Sequence, residues 1–168
     1  MNKNVLNEII LKMVRFSERN LHDIEHFLKV HAYARLIGEM ETENEHSRML
    51  LETAAVLHDI ACPLCREKYG SARGELQERE GMPMCRDFLK EFELDSEFVD
   101  QVAWLVGHHH TIMENMSLEH RILLEADLLV NAKESGYPTE LLSQEAARII
   151  KTNTGKMLLH SIYDIKER

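Results

Sequence analysis

Apolar residues return every three or four positions along most of this chain, and sustained two-residue alternation is hard to find, so the pattern predicts helices rather than strands. Val5, Leu6, Ile9, Ile10 and Met13 share one face of a first helix over about 4–16. His26, Val30, Ala34 and Ile37 follow at i, i+4, i+8 and i+11 of a second helix over about 22–40, which puts His26 on the inward stripe. Thr42 or Asn44 is suited to cap a third helix with Leu50, Ala54 and Leu57 facing inward, and its last turn delivers His58 and Asp59. Residues 60–80 hold Pro63, Gly70 and Gly74 without apolar periodicity and are expected to form the longest irregular segment. Pro83 suits the first turn of a fourth helix reaching about Phe92. Asp95 or Ser96 can cap a fifth, on which Phe98, Val102, Leu105 and His109 fall in register. Ser117 can cap a sixth, where Asp127 lies among Leu123, Leu124, Leu128 and Val130. After Gly136-Tyr137-Pro138, Thr139 can cap a seventh helix through Ile150, and a short helical piece over about 154–162 ends the chain.

Composition sharpens this picture. With only seven glycines and three prolines in 168 residues, the expectation is an all-α bundle of about six to eight helices, forming a single domain over 1–168. A net charge of −9 disfavours long nucleic acid and anionic membranes, since phosphate affinity scales with the cations that displace counterions. Any phosphorylated ligand should therefore be small and held locally. There is no run of 18 apolar residues and the first helix is amphipathic rather than a signal peptide, so the protein reads as cytoplasmic. Three cysteines provide no disulfide framework and suit a reducing compartment.

Chemistry enters through residues that do not belong in apolar stripes. His26, the doublet His58-Asp59, the run His108-His109-His110 and Asp127 all sit in apolar helical contexts, and buried charge needs a partner. Taken singly, each has a plain reading: a buried histidine is usually a hydrogen-bonded core residue, and Asp127 could pair with a buried arginine. Taken together they favour a bound cation. The texture and order of HFLKV, AAVLHDI, VGHHH and LLEADLLVN, over roughly residues 20–132, resemble the HD-domain (His-Asp) metal-dependent phosphohydrolase superfamily.

That resemblance implies a helical HD-type domain with His26, His58, Asp59 and Asp127 as metal ligands. Imidazole and carboxylate suit Fe, Mn, Ni, Co, Zn or Mg, and one ion is expected with room for a second. It also implies hydrolysis of a nucleotide or other small phosphoester by a metal-activated water, in a monomer or homodimer. Asp59, Glu80, His109 and His110 are the candidate catalytic groups, and Glu80, His109 and His110 are the candidates for a second metal. Where two-metal members carry a His-Gly pair, this chain has Glu80-Gly81. No GYP-type stretch follows the triple histidine, which argues against cyclic-di-GMP as substrate. His108 is expected to face away, because a triple run cannot aim all three rings one way.

Arg66, Lys68 and Arg73 follow the doublet and could clamp substrate phosphates, with Tyr69 stacking on a base; the plainer reading is a solvated loop balanced by Glu67, Glu75 and Glu78. Two short patterns compete. His22-Asp23-Ile24-Glu25-His26 fits the H-x-x-E-H of inverted zinc proteases, but leaves His58, Asp59 and Asp127 unexplained. Cys62-Pro63-Leu64-Cys65 is a C-x-x-C without the βαβ setting of a redox motif. Besides the hydrolase, two readings stay open: a catalytically silent HD fold that senses a nucleotide, and a helical interaction protein without metal.

Overall fold

The computed structural model of the chain describes residues 3–165. Among these, nine helices follow one another and no strand occurs: α1 (Lys3–Phe16), α2 (Leu21–Glu41), α3 (Glu45–Leu57), α4 (Cys62–Tyr69), α5 (Gly74–Leu89), α6 (Ser96–Val106), α7 (Leu118–Glu134), α8 (Thr139–Ile149) and α9 (Asn153–Tyr163). The termini of the expected 1–168 domain lie outside the described residues.

Two of these helices are buried nearly all round. Every residue from 49 to 58 at the end of α3 and every residue from 122 to 130 in α7 is buried. Helices with apolar residues on all sides belong inside a bundle, and α2 packs along both, while α1 and α6 cover α3, and α8 and α9 cover α7. Burial on all sides forces the polar residues of α3 and α7 to find partners. Glu52 meets His31 at 3.0 Å, and Glu125 accepts hydrogen bonds from the start of α9.

Side chains set several boundaries. Asn44, Asp95 and Ser117 accept from the first-turn amides of α3, α6 and α7. Thr139 does not cap α8; it is the first helical residue after Pro138. The larger correction concerns residues 60–92. Instead of a long loop the chain forms α4, ended by Gly70 in the left-handed region at φ 65°, and then α5, which starts at Gly74 and carries Pro83 in its interior. Packing against α6 stabilises α5 despite the hydrogen bond lost at Pro83. Gly81 lies against Val106 and Ala61, where a Cβ would be crowded at 3.1 Å.

Candidate metal centre

His26 comes from the inward face of α2, His58 and Asp59 from the tight turn between α3 and α4, and Asp127 from the middle of α7. The outer nitrogen of each imidazole fixes what the inner one offers. His26 Nδ1 donates to Glu134 Oε2 at 2.7 Å, and His58 Nδ1 donates to the Ala55 carbonyl at 2.9 Å. In the neutral rings, both Nε2 lone pairs therefore point inward, 3.1 Å apart. Asp127 Oδ1 lies 3.2 Å and 3.5 Å from these nitrogens, and Asp59 Oδ2 lies 3.5 Å and 3.8 Å from them. With both rings neutral, four acceptors converge, which is repulsive unless a proton or a metal cation sits among them.

The protonation energetics agree. Burial opposes charging His26, yet Asp127, Asp59 and Glu134 outweigh it and push its pKa up to about 9. Burial pulls the carboxyls of Asp59 and Asp127 upward, but the surrounding imidazoles hold both well below the usual carboxylate range. Without another cation the cluster retains a proton. Two imidazole nitrogens and two carboxylate oxygens fit a divalent ion of the Mn, Fe, Co, Ni, Zn or Mg type.

A second convergence adjoins the first. His109 Nδ1 donates to the Val106 carbonyl at 2.7 Å, which turns its Nε2 toward Asp59 Oδ1 at 3.5 Å and Gln77 Oε1 at 3.2 Å. His110 Nε2 lies 3.0 Å from the same amide oxygen. The Gln77 side-chain nitrogen donates to the Ala72 carbonyl, so it is the oxygen of Gln77 that meets the histidines. Ligand atoms of Asp59, His109 and His110 lie within 4.8 Å of one another, as do those of His26, His58 and Asp59. Asp59 thus stands between the clusters with one oxygen toward each, and its side chain is 24% exposed where the others of the first cluster are nearly sealed.

The sequence matches the HD domain over residues 23–132. The chain belongs to the HD-domain family. The fold of this HD domain is similar to the crystal structure of a predicted HD superfamily hydrolase from an uncultured Thermotogales bacterium, at 23% identity with a TM-score of 0.65, covering 96% of this chain and 85% of that one. A search among curated proteins gives no significant match.

Of the candidates read from the sequence, His26, His58, Asp59, His109, His110 and Asp127 are brought together. Glu80 is not: it accepts from Tyr69 at 2.5 Å and pairs with Lys68 and Arg79 at 3.3 Å and 3.4 Å. The expected phosphate clamp is also dispersed, because the segment is helical. Arg66 on α4 pairs with Asp23, Lys68 pairs with Glu80, and Arg73 is exposed at the N-cap of α5. Tyr69 is taken up by Glu80, with the Lys68 ammonium 4.9 Å from its ring centre.

The competing patterns fall away on geometry. The two histidines of the H-x-x-E-H pattern stack with ring centres 6.4 Å apart, but the side chain of His22 is 73% exposed while His26 Nε2 turns inward to His58 and Asp127, so they do not serve one site. Cys62 and Cys65 are buried at the start of α4, and burial pushes both thiols up, against the thiolate that redox chemistry needs. His108 stacks on Trp104 with ring centres 4.3 Å apart and takes no part in either cluster.

Three residues of this centre had no role in the sequence reading: Gln77, Asn131, which donates to Asp127 Oδ1 at 2.8 Å, and Glu134. Asp127, Asn131 and Glu134 fall at i, i+4 and i+7, a polar stripe whose spacing could have revealed them. Glu134 fixes the tautomer of His26 from behind and is itself held by Lys29 at 3.2 Å. Removing such a carboxylate typically weakens metal affinity 10- to 100-fold. Glu134→Ala is therefore expected to raise the metal Kd by about 10- to 100-fold, with the helical circular dichroism unchanged, and Glu134→Gln by less, as read by competition with a chromogenic chelator.

Proposed function

We propose that this HD domain is a metal-dependent phosphohydrolase acting on a small phosphoester, with nucleotides as the first class to test. The reading rests on one observation above all: two imidazole lone pairs and two carboxylates, each fixed from outside, face a common centre. A divalent ion held there supplies Lewis-acid stabilisation of a phosphoryl oxygen and lowers the pKa of water. The chain's own residues do the rest. Asp59, the most exposed of the four, orients the attacking water between the clusters. His109 and His110 line the cavity beside Asp127, where with a single ion bound they would be the groups available to move a proton to the leaving oxygen. With a second ion, the same two histidines would instead serve as its ligands together with Asp59 and the Gln77 amide oxygen.

The test combines elemental analysis of untagged protein with a phosphoester panel run in Mn, Fe, Ni, Co, Mg and Zn. Stoichiometric divalent metal and metal-dependent phosphate release are expected. Metal with bound but unaltered nucleotide would instead identify a sensor, and no metal even after anaerobic reconstitution would overturn the reading. Nuclearity has its own test. An imidazole is a better transition-metal ligand than an amide oxygen, so Gln77→His is expected to tighten a second ion about tenfold, on the order of 1.4 kcal/mol. The check is a calorimetric metal titration that resolves both steps.

A further inference from the structure

A cavity of about 250 Å³ opens onto His109, His110 and Asp127, the edge of the metal centre facing away from α2. Its far wall is Tyr137, Glu145, Arg148 and Ile149, from the turn before α8 and from α8 itself. All four lie beyond residues 23–132, the part matched to the family. Whatever fills this space touches residues outside that matched part on one side and the candidate metal centre on the other.

The charges of the wall restrict the occupant. Arg148 Nη1 lies 3.1 Å and 3.2 Å from the two oxygens of Glu145, so Glu145 shares the cavity's guanidinium with any ligand and leaves its other donors open. Another phosphate placed here would meet the carboxylates of Asp127 and Glu145, with Arg148 as the wall's one guanidinium and that guanidinium shared with Glu145. A neutral polyhydroxyl group meets better chemistry. The guanidinium donates, the carboxylate accepts, and the two stand side by side at hydroxyl spacing. The Tyr137 ring and the Ile149 side chain offer apolar surface for the carbon skeleton. The volume falls below the ~300–1,000 Å³ of drug-sized sites, which suits a small alcohol rather than an extended chain.

We propose that this cavity is the leaving-group pocket of a phosphomonoester of a neutral hydroxylated alcohol, such as a sugar or nucleoside monophosphate, with Glu145 and Arg148 as its specificity-determining pair. The proposal rests on the metal-centre reading above, which supplies the place for the phosphoryl group. It excludes a substrate whose second phosphate occupies the same space.

Calorimetric binding to the metal-loaded protein tests it without requiring turnover. The probes are inorganic phosphate, pyrophosphate, glycerol 3-phosphate, ribose 5-phosphate and adenosine 5′-monophosphate. At least one of the three esters should bind about tenfold tighter than inorganic phosphate, an increment on the order of 1.4 kcal/mol, while pyrophosphate gains nothing. Glu145→Ala and Arg148→Gln should each erase the ester's gain and leave metal content and phosphate affinity unchanged. Both side chains are on the outer part of α8, with that of Arg148 63% exposed, so the variants keep the fold. Esters no tighter than phosphate, a gain that survives both substitutions, or a pyrophosphate gain removed by Arg148→Gln would overturn the pocket assignment. Ester binding with the expected losses but no hydrolysis would leave the pocket standing and sink the hydrolase reading alone.

Discussion

Asp127→Ala is expected to lose the divalent ion proposed for this centre and to slow the proposed phosphoester hydrolysis at least ~10³-fold, about 4 kcal/mol of transition-state stabilisation. Asp127 Oδ1 is the oxygen nearest to both inward-facing imidazoles, and its side chain is only 9% exposed, so no water can easily replace it as a ligand. The shape-conserving Asp127→Asn keeps the packing of α7 but removes the charge, and should lose metal almost as completely. Two measurements separate this from mere damage to the fold. Chelation should lower the Tm of the unaltered protein and leave that of both variants unmoved, since a ligand stabilises only the state that binds it. Glu80→Ala, at a carboxylate engaged by Tyr69 and Lys68 instead, should keep its metal. A variant at Asp127 that retains stoichiometric metal would remove the foundation of the proposed chemistry.

The inner half of that centre is legible in the sequence because its residues interrupt strongly apolar stripes. His26 in α2 and Asp127 in α7 stand out where periodic burial leaves no room for solvated charge, and the caps Asn44, Asp95 and Ser117 mark the neighbouring helices. The part from 60 to 92 is not legible by the same means. α4 is short and charged, and α5 owes its stability to α6 rather than to propensity, so its glycines and proline mask an amphipathic pattern that runs through them. A stripe was nonetheless present. Gln77, Gly81, Cys85 and Phe88, all buried, fall at i, i+4, i+8 and i+11 once α5 is read through Pro83. Glu80, which stands where two-metal members carry the histidine of a His-Gly pair, lies three residues beyond Gln77 and is engaged by Tyr69 and Lys68 of α4 instead of the histidines. The basic residues misled for a related reason: charges in a presumed loop look available, whereas on α4 Arg66 and Lys68 are already paired. The cation that does line the cavity, Arg148, lies in α8, far from every motif.

α7 has a second fixed face, and disturbing it should give the largest stability effect in the molecule outside the metal centre. Glu125, fully buried and two residues before Asp127, points to the opposite side of the helix, where Oε1 accepts from the amides of Lys151 at 2.7 Å and Thr152 at 2.9 Å. Its Oε2 accepts from the Thr152 hydroxyl at 2.5 Å, and that hydroxyl in turn caps α9 by accepting from Gly155 N at 2.9 Å. Glu125→Ala strands these buried donors at roughly 1–3 kcal/mol each, and is expected to cost about 3–5 kcal/mol in all. At about 2–4 °C per kcal/mol this is roughly 10 °C in Tm. Glu125→Gln keeps an oxygen for the two amides and should cost less than half as much. Gly155 is glycine because a Cβ there would collide with the Glu125 carboxylate and crowd the Thr152 hydroxyl at 2.8 Å. Gly155→Ala alone should therefore destabilise by about 1–3 kcal/mol, as overpacking does. In the Glu125→Ala background the carboxylate is gone and only the Thr152 hydroxyl, 2.8 Å from the added Cβ, has to shift, so the same change should cost clearly less than it does alone. Urea melts of the two single variants and the double variant close this cycle. Additive losses would show that the two residues do not share one constraint, and that something other than Glu125 joins α9 to the helix bearing Asp127.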